Sequence, residues 1–336
     1  MKAYRIHELT GPAGLRLDDL PAPTAGPGQV AIAVRATSLN YRDLITAQGT
    51  YNPRLPVPCV PLSDGAGDVV EVGAGVTRFR VGDRVAGCFM PGWESGPPTE
   101  LGGKSALGGG GNGMLAERVV LPEGGVVRVP DHLSFEEAAT LPCAAVTAWN
   151  ALFEGDGKRV KAGDTVLVQG TGGVSMFALQ FARLAGARVI ATSSGDEKLA
   201  RVRQMGASDG INYKTTPDWD VAVQNLTDGR GVDHIVEVGG AGTLPRSMKS
   251  IRVGGQIAVI GILTGGEISP IPLIMKSIRL QGIYVGSRAM FESMNQAITL
   301  HHLKPVIDRV FPFDQAVAAY QYQMSGAHFG KVVIAM

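Results

Sequence analysis

The residues with the most chemistry to offer lie between Val166 and Ser175, where an apolar run leads into a turn holding Gly170, Thr171, Gly172, Gly173 and Val174. An amphipathic pattern follows, with Val174, Phe177, Ala178, Phe181 and Ala185 on one helical face. Gly170 permits a tight turn, and Gly172 leaves the backbone open to a pyrophosphate. Ser175 stands where a third glycine is usual and is still small enough for close helix–strand packing. Backbone N–H groups at the helix start then point at the phosphates, where the helix dipole favours negative charge. The bland alternative is a plain glycine-rich strand-to-helix turn. With strand, turn, helix and a following strand all in sequence, the stretch predicts dinucleotide binding.

The kind of dinucleotide is read at the end of the next strand. A carboxylate about 20 residues on would accept from the ribose 2′-OH of NAD. Here the chain reads Ile190, Ala191, Thr192, Ser193, Ser194, Gly195, with no acid. Asp196 comes next and is expected to cap the following helix. Ser193, Ser194 and Lys198 can instead hold a 2′-phosphate, with Tyr213 as a further contact, so NADP(H) is the expected cofactor. The rival for Lys198 is a solvated helix lysine.

Metal ligands are sparse. A catalytic zinc needs three protein ligands and a structural one typically four cysteines. Cys59, Cys88 and His7 have no clustered spacing, and the adjacent His301 and His302 read as a solvated helix end. No metal is expected.

These side chains have to be positioned by two kinds of architecture. The first ~125 residues read as β-rich, with short Val- and Ala-rich segments at Gln29–Ala36, Asp68–Val72 and Arg84–Cys88 separated by glycine turns. The stretch Pro91–Gly113 carries nine glycines and three prolines without periodicity, which predicts a long functional loop. From Leu133 strands and helices alternate: strands at Thr165–Gln169, Arg188–Thr192, His234–Val238, Gln256–Gly261 and Ile278–Tyr284, helices at Val174–Leu184 and Glu197–Met205. That order means right-handed βαβ units and a doubly wound parallel sheet. Residues 126–284 are therefore assigned to this α/β domain. Residues 1–125 form the β-rich domain, completed by 285–336 with helices at Phe291–His302 and Asp314–Ser325 and a strand at Lys331–Ala335.

Composition closes off several functions. With 31 Lys and Arg against 30 Asp and Glu, the charge of +1 leaves no basic excess for nucleic acid or a membrane surface. Hydrophobic residues at 45% supply ample core, while charged residues at 18% fall below the typical ~25% and suggest a surface covered by a partner subunit. Three scattered cysteines form no disulfide framework, and there is no signal-peptide pattern or apolar run of membrane-spanning length. A cytoplasmic protein is expected.

Taken in order, these segments resemble the medium-chain dehydrogenase/reductase superfamily, and within it the zinc-independent quinone oxidoreductase-like branch. Asn40, Tyr41, Arg42 and Asp43 are similar to that branch's N-Y-x-D segment, where the zinc enzymes carry a ligand Cys. The segment Pro61–Gly67 is similar to G-x-E-x-x-G, with Ser63 where the zinc enzymes carry a ligand His. Leu141–Asn150 resembles the segment whose threonine, Thr147 here, touches the cofactor. Residues 206–213 and Gly330, Lys331, Val332 and Val333 complete the match. Two departures are the length of the Gly92–Gly113 stretch and the lack of an arginine near Gln323.

The resemblance implies a GroES-like catalytic domain made of both chain ends, a Rossmann domain between, and an active site in the cleft. It implies that Ser194, Lys198 and Tyr213 grip the 2′-phosphate. Backbone at Gly239, Gly261, Ile262, Leu263, Val285 and Ser287 would lie along ribose and nicotinamide, and Lys331 joins the cofactor contacts. Asn40 and Tyr41 would border the nicotinamide and Tyr51 the substrate; ordinary half-buried packing is the rival for both tyrosines. Contact between subunits through an edge strand near Ile278–Tyr284, in a homodimer or homotetramer, is also implied.

Hydride transfer is the cofactor's chemistry, which the protein orients. Without a metal as Lewis acid, acceptors that delocalise charge themselves, quinones and α,β-unsaturated carbonyls, are the expected small-molecule electrophiles. Tyr41, Tyr51 or a backbone N–H would meet the oxyanion and water would supply the proton. The alternatives are an NADP-dependent zinc-free alcohol dehydrogenase with a tyrosine proton relay, and a cofactor-binding protein without significant turnover.

Overall fold

The computed structural model describes residues 1–154 and 159–336. They fall into two compact units, one made of Met1–Val146 with Gly286–Met336, the other of Thr147–Val285.

The second unit is a six-stranded, all-parallel sheet in the order Asp209–Asn212, Arg188–Ser193, Thr165–Gln169, Val232–Glu237, Ile251–Val259, Arg279–Gly282. The central strands are buried along their whole length, as continuous apolar runs covered on both faces must be. Leu167, Ile190, Ile235 and Ile257 from four neighbouring strands form the core with Trp219 and Met248. The chain starts this sheet at Thr165–Gln169, builds outward in one direction, then returns to Val232–Glu237 on the other side of the first strand. The order therefore reverses between these two strands, and their carboxyl ends flank the position where open α/β sheets take ligands.

The first unit is built on a seven-stranded sheet. Ile307–Pro312, Lys331–Ala335, Gln29–Ser38, Asp64–Val72, Arg84–Gly87 and Val126–Arg128 lie in that order, and Arg118–Pro122 also pairs with Gln29–Ser38. The last strand of the chain runs antiparallel to Gln29–Ser38, with Val333 opposite Ser38. That pairing brings Lys331 to the end of the strand that leads into Asn40. Tyr320, Met114, Leu115, Leu39 and Ile32 fill the core.

Several expected boundaries move. Residues 126–146, assigned from sequence to the second domain, belong to the first unit: Val126–Arg128 is a strand of its sheet, and Cys143 donates its N–H to Asp64. The helical pattern that starts at Leu133 therefore does not mark the domain boundary. Within Pro91–Gly113 a short helix forms at Glu100–Lys104, capped by the Thr99 hydroxyl on the Gly102 N–H. Asp196 is not a cap. Gly195 takes that position in extended backbone, and the Asp196 carboxylate accepts from Asn212 Nδ2 at 2.8 Å. Among the described residues no helix is long and apolar enough to cross a membrane, and Cys59, Cys88 and Cys143 are free.

Candidate functional site

In the second unit the Thr165–Gln169 strand passes directly into Gly170, whose φ of +71° is a left-handed conformation that glycine adopts without strain. The helix Gly173–Leu184 starts two residues later at Gly172, with no side chain capping its N–H groups. A methyl group added at Gly172 would meet no atom within 4 Å. Space and uncapped donors coincide, so the turn fits the pyrophosphate of a dinucleotide. Ser175 is buried, and its hydroxyl donates to the Gln169 carbonyl at 2.6 Å, which ties the helix to the strand at closest approach. Thr171 is buried, while Gly173 and Val174 are partly exposed.

Four of the expected residues gather at the ends of the next two strands. Ser193 closes the Arg188–Ser193 strand, and Asn212 closes its parallel neighbour directly opposite. Tyr213 donates its N–H to the Ser193 carbonyl at 3.0 Å, and its side chain is exposed. Ser194 and Lys198, in the first turn of the helix Asp196–Gln204, are half-buried. No carboxylate lies between Thr192 and Gly195, and Asp196 is engaged by Asn212.

A fully buried carboxylate not identified from sequence holds the other side of the reversal point. Glu237, the last residue of Val232–Glu237, accepts from Gln169 Nε2 at 2.7 Å, the Gly239 N–H at 2.8 Å, the Gly240 N–H at 3.2 Å, and the Thr243 and Ser247 hydroxyls. These bonds fix the Gly239 turn. Gly261 packs so closely that a Cβ there would lie 1.6 Å from the Val238 carbonyl oxygen, whereas Ile262 and Leu263 point outward. Val285 has a φ of +54°, unusual for a β-branched residue, and its carbonyl accepts from Asn150 Nδ2 at 2.8 Å. Thr147 is buried at the start of this unit.

In the first unit, burial and charge meet behind Asn40. The helix Tyr41–Ala47 follows it, and Asp43 Oδ2 accepts from the Asn40 N–H at 2.7 Å. Lys331 is buried; its ammonium donates to the Leu39 carbonyl and to Asn40 Oδ1, each at 2.6 Å, and lies 3.7 Å from Asp64 Oδ2. Asp64 also accepts from the Ser63 hydroxyl at 2.7 Å. Arg42 lies 3.7 Å from Asp43, making a buried group of two carboxylates and two cations. Burial raises the Asp43 carboxyl to about 6 against the opposing pull of Arg42. Burial also raises Asp64, with Lys331 the main opposing charge. Tyr41 is exposed and Tyr51 half-buried beside Arg42. Ser287 is buried as the cap of the helix Arg288–Leu300.

The donor set does not fit a zinc ion. Ser63 and Asn40 bring neutral oxygens, and burial pushes the Cys143 thiol well up, away from the thiolate a metal needs. An ammonium already neutralises Asp64. Among the described residues no three or more His, Cys, Asp or Glu side chains are grouped to hold a metal.

Two family profiles match the chain: an alcohol dehydrogenase GroES-like domain over residues 26–131, and a zinc-binding dehydrogenase over residues 173–300. A zinc-type alcohol dehydrogenase-like protein of Schizosaccharomyces pombe is 45% identical, over 98% of this chain and 98% of its own. The quinone oxidoreductase of Rattus norvegicus is 31% identical, over 99% and 97%. The solved structure of an NAD-dependent alcohol dehydrogenase superposes with a TM-score of 0.91 at 35% identity, over 100% of both chains.

Proposed function

The chain belongs to the medium-chain dehydrogenase/reductase superfamily, and from that premise we propose that it is an NADP(H)-dependent oxidoreductase that reduces quinones or α,β-unsaturated carbonyls without a metal. The observation that carries the substrate half is the arrangement at Asn40: Lys331 occupies the surroundings of Asp64 as a fixed cation, in a donor set unsuited to zinc. Ketones and simple alcohols are poor partners for such a site, because no Lewis acid stabilises the charge on oxygen. Quinones and enones spread that charge themselves.

The cofactor half rests on the end of the Arg188–Ser193 strand. A ribose 2′-OH finds no carboxylate there, while a 2′-phosphate finds the Ser193 and Ser194 hydroxyls with Lys198 and Tyr213 nearby. When bound, the dinucleotide supplies the hydride. The Gly170–Val174 turn binds its pyrophosphate, and Thr147, Gly239, Gly261, Ile262, Leu263 and Val285 of the same unit orient the remainder. In the first unit Lys331 holds the Asn40 carboxamide in one orientation, with Tyr41 and Tyr51 as the acceptor's proposed contacts.

A zinc-free alcohol dehydrogenase is the second reading. It is favoured by Tyr51, a half-buried phenol beside the Arg42 guanidinium. Self-association belongs to the same proposal. The edge strand Arg279–Gly282 has one neighbour, and Ile271, Ile274 and Met275 before it are exposed.

The test is NADPH and NADH oxidation, side by side, against 1,4-benzoquinone, 9,10-phenanthrenequinone and an enone, with NADP⁺ plus simple alcohols as the opposing arm. Selective NADPH consumption with quinone or enone is the expected result. Turnover confined to alcohols moves the assignment to the second reading, and preference for NADH overturns the 2′-phosphate site.

A further inference from the structure

The strand ends Ser193 and Asn212 pair directly within the Thr147–Val285 unit, and the Asn212 side chain is engaged at both of its polar ends. Its Oδ1 accepts from the Lys214 N–H at 3.0 Å, which starts the turn after the strand Asp209–Asn212. With that oxygen taken by an N–H the amide has one orientation, and Nδ2 donates to Asp196 Oδ1 at 2.8 Å. The two strand ends are themselves tied, because Tyr213 donates its N–H to the Ser193 carbonyl at 3.0 Å. Asp196 is exposed and is the first carboxylate after Ser193. Between them Ser194 is half-buried, and Gly195 is extended at a φ of −147° with no atom within 4 Å of where its Cβ would stand. The segment therefore borders open space, with the half-buried Lys198 in the helical turn that follows. An exposed aspartate at a helix start ordinarily samples several rotamers. Facing this space, its carboxylate would accept from a ribose 2′-OH and repel a 2′-phosphate. The Asn212 bond selects a rotamer turned to the neighbouring strand instead.

We propose that Asn212 is a positioning residue that sets cofactor preference: by holding Asp196 against the end of the strand Asp209–Asn212, it withdraws from the Ser193–Lys198 segment the carboxylate that would otherwise serve the 2′-hydroxyl of NAD(H). The inference rests on the 2′-phosphate reading of Ser193, Ser194, Lys198 and Tyr213 and adds a second layer to it. Those residues attract the phosphate; Asn212 restrains the charge that opposes it. Specificity is a difference of affinities, and disarming a contact of the competing ligand counts as much as adding one for the preferred ligand. The restraint also accounts for an acid so near the strand end in a site assigned to NADP(H). Asp196 is close in sequence but is committed elsewhere by a residue sixteen positions later.

The experiment titrates the full chain with NADPH and with NADH, each followed by its own fluorescence, so that no acceptor is needed. The quantity read is the Kd for NADH divided by the Kd for NADPH. Asn212→Ser keeps an oxygen for the Lys214 N–H but is too short to reach Asp196, and it should lower that ratio about tenfold, by weakening NADPH and tightening NADH together. Asp196→Asn removes the charge and should leave the ratio within about twofold of wild type. Combining the two substitutions should bring the ratio back to the wild-type value, a coupling that a merely structural role of Asn212 in its turn would not produce. Asn212→Ala carries the same comparison should Asn212→Ser fail to fold. An unchanged ratio in the Asn212 variants, or a fall that persists in the double variant, would overturn the proposal and leave Asn212 as a turn residue. A wild type that binds NADH the more tightly overturns the 2′-phosphate reading. If the Asn212 variants then still move the ratio further toward NADH, and only while Asp196 is present, the restraint on Asp196 stands without that reading.

Discussion

Two buried polar groups, one in each unit, are built to opposite standards. In the second unit every partner of Glu237 is in place: two hydroxyls, an amide and two backbone N–H groups meet its two oxygens. In the first unit Asp43 Oδ1, Asn40 Nδ2, Arg42 Nε and Nη1, and the hydroxyls of Thr37, Ser38 and Thr46 are buried without a hydrogen-bond partner among the described residues. A satisfied network rigidifies a scaffold, whereas an unsatisfied one costs stability that only a ligand or water repays. The second unit is thus preorganised around Glu237 before anything binds, and the first is held in tension around Asn40 and Arg42.

The comparison predicts, first and largest, that Gly172→Val abolishes NADPH binding while leaving Tm within a few degrees. The new side chain enters open space at a φ of −78°, so the damage falls on the ligand and not on the fold. Loss of the fold, measured by circular dichroism, would break the claim that the turn is complete without its cofactor. Next, Lys331→Met leaves Asp64 buried without its main opposing charge and is expected to cost about 3–5 kcal/mol in urea unfolding, together with turnover. In the other unit, Glu237→Gln turns an amide N–H₂ toward donors and should cost roughly 2–3 kcal/mol while leaving acceptor preference unchanged. A change in the order of preferred quinones would contradict that separation.

Smaller effects sharpen the same contrast. Lys198→Ala should raise KM for NADPH about tenfold and leave KM for NADH nearly unchanged; equal shifts would remove its phosphate role. Asp43 provides a pH signature. Its carboxyl is raised by burial from 3.8 to about 6, so between those pH values the folded protein keeps a proton that the unfolded chain has released. Its contribution to stability is therefore fully present below the unfolded value and is lost as pH rises through 6. Asp43→Asn removes that loss, so the stability difference, variant minus wild type, should grow in favour of the variant from pH 4 to pH 7. A flat difference would mean that Asp43 is not desolvated.

The parts of this molecule that sequence makes legible are those whose causes are local. Gly170–Ser175 could be read because strand, turn and helix follow one another, and the same residues supply the packing: Ser175 bonds the carbonyl of Gln169, six positions earlier. The missing acid after Thr192 is equally local. Asp196 was misread because its neighbour Gly195 adopts the extended cap while a strand neighbour, Asn212, claims its carboxylate. The end of the first unit was misplaced because helical periodicity does not say which core a helix serves. The edge strand Ile307–Pro312 is half-exposed and has no clear alternation to reveal it. Arg42 looked like any arginine in the first turn of a helix. Its burial comes from Phe89 and the Leu107 carbonyl, both more than forty residues away, and the only local hint was the run of glycines at 108–111.

The most direct test of the central claim, that the protein's own groups and not a metal meet the charge on the acceptor, is metal analysis of protein that is actively reducing quinone with NADPH, before and after exhaustive chelation. The account predicts zinc far below one ion per chain and unchanged kcat after chelator. Stoichiometric zinc, with activity lost on chelation and restored by the metal, would contradict it.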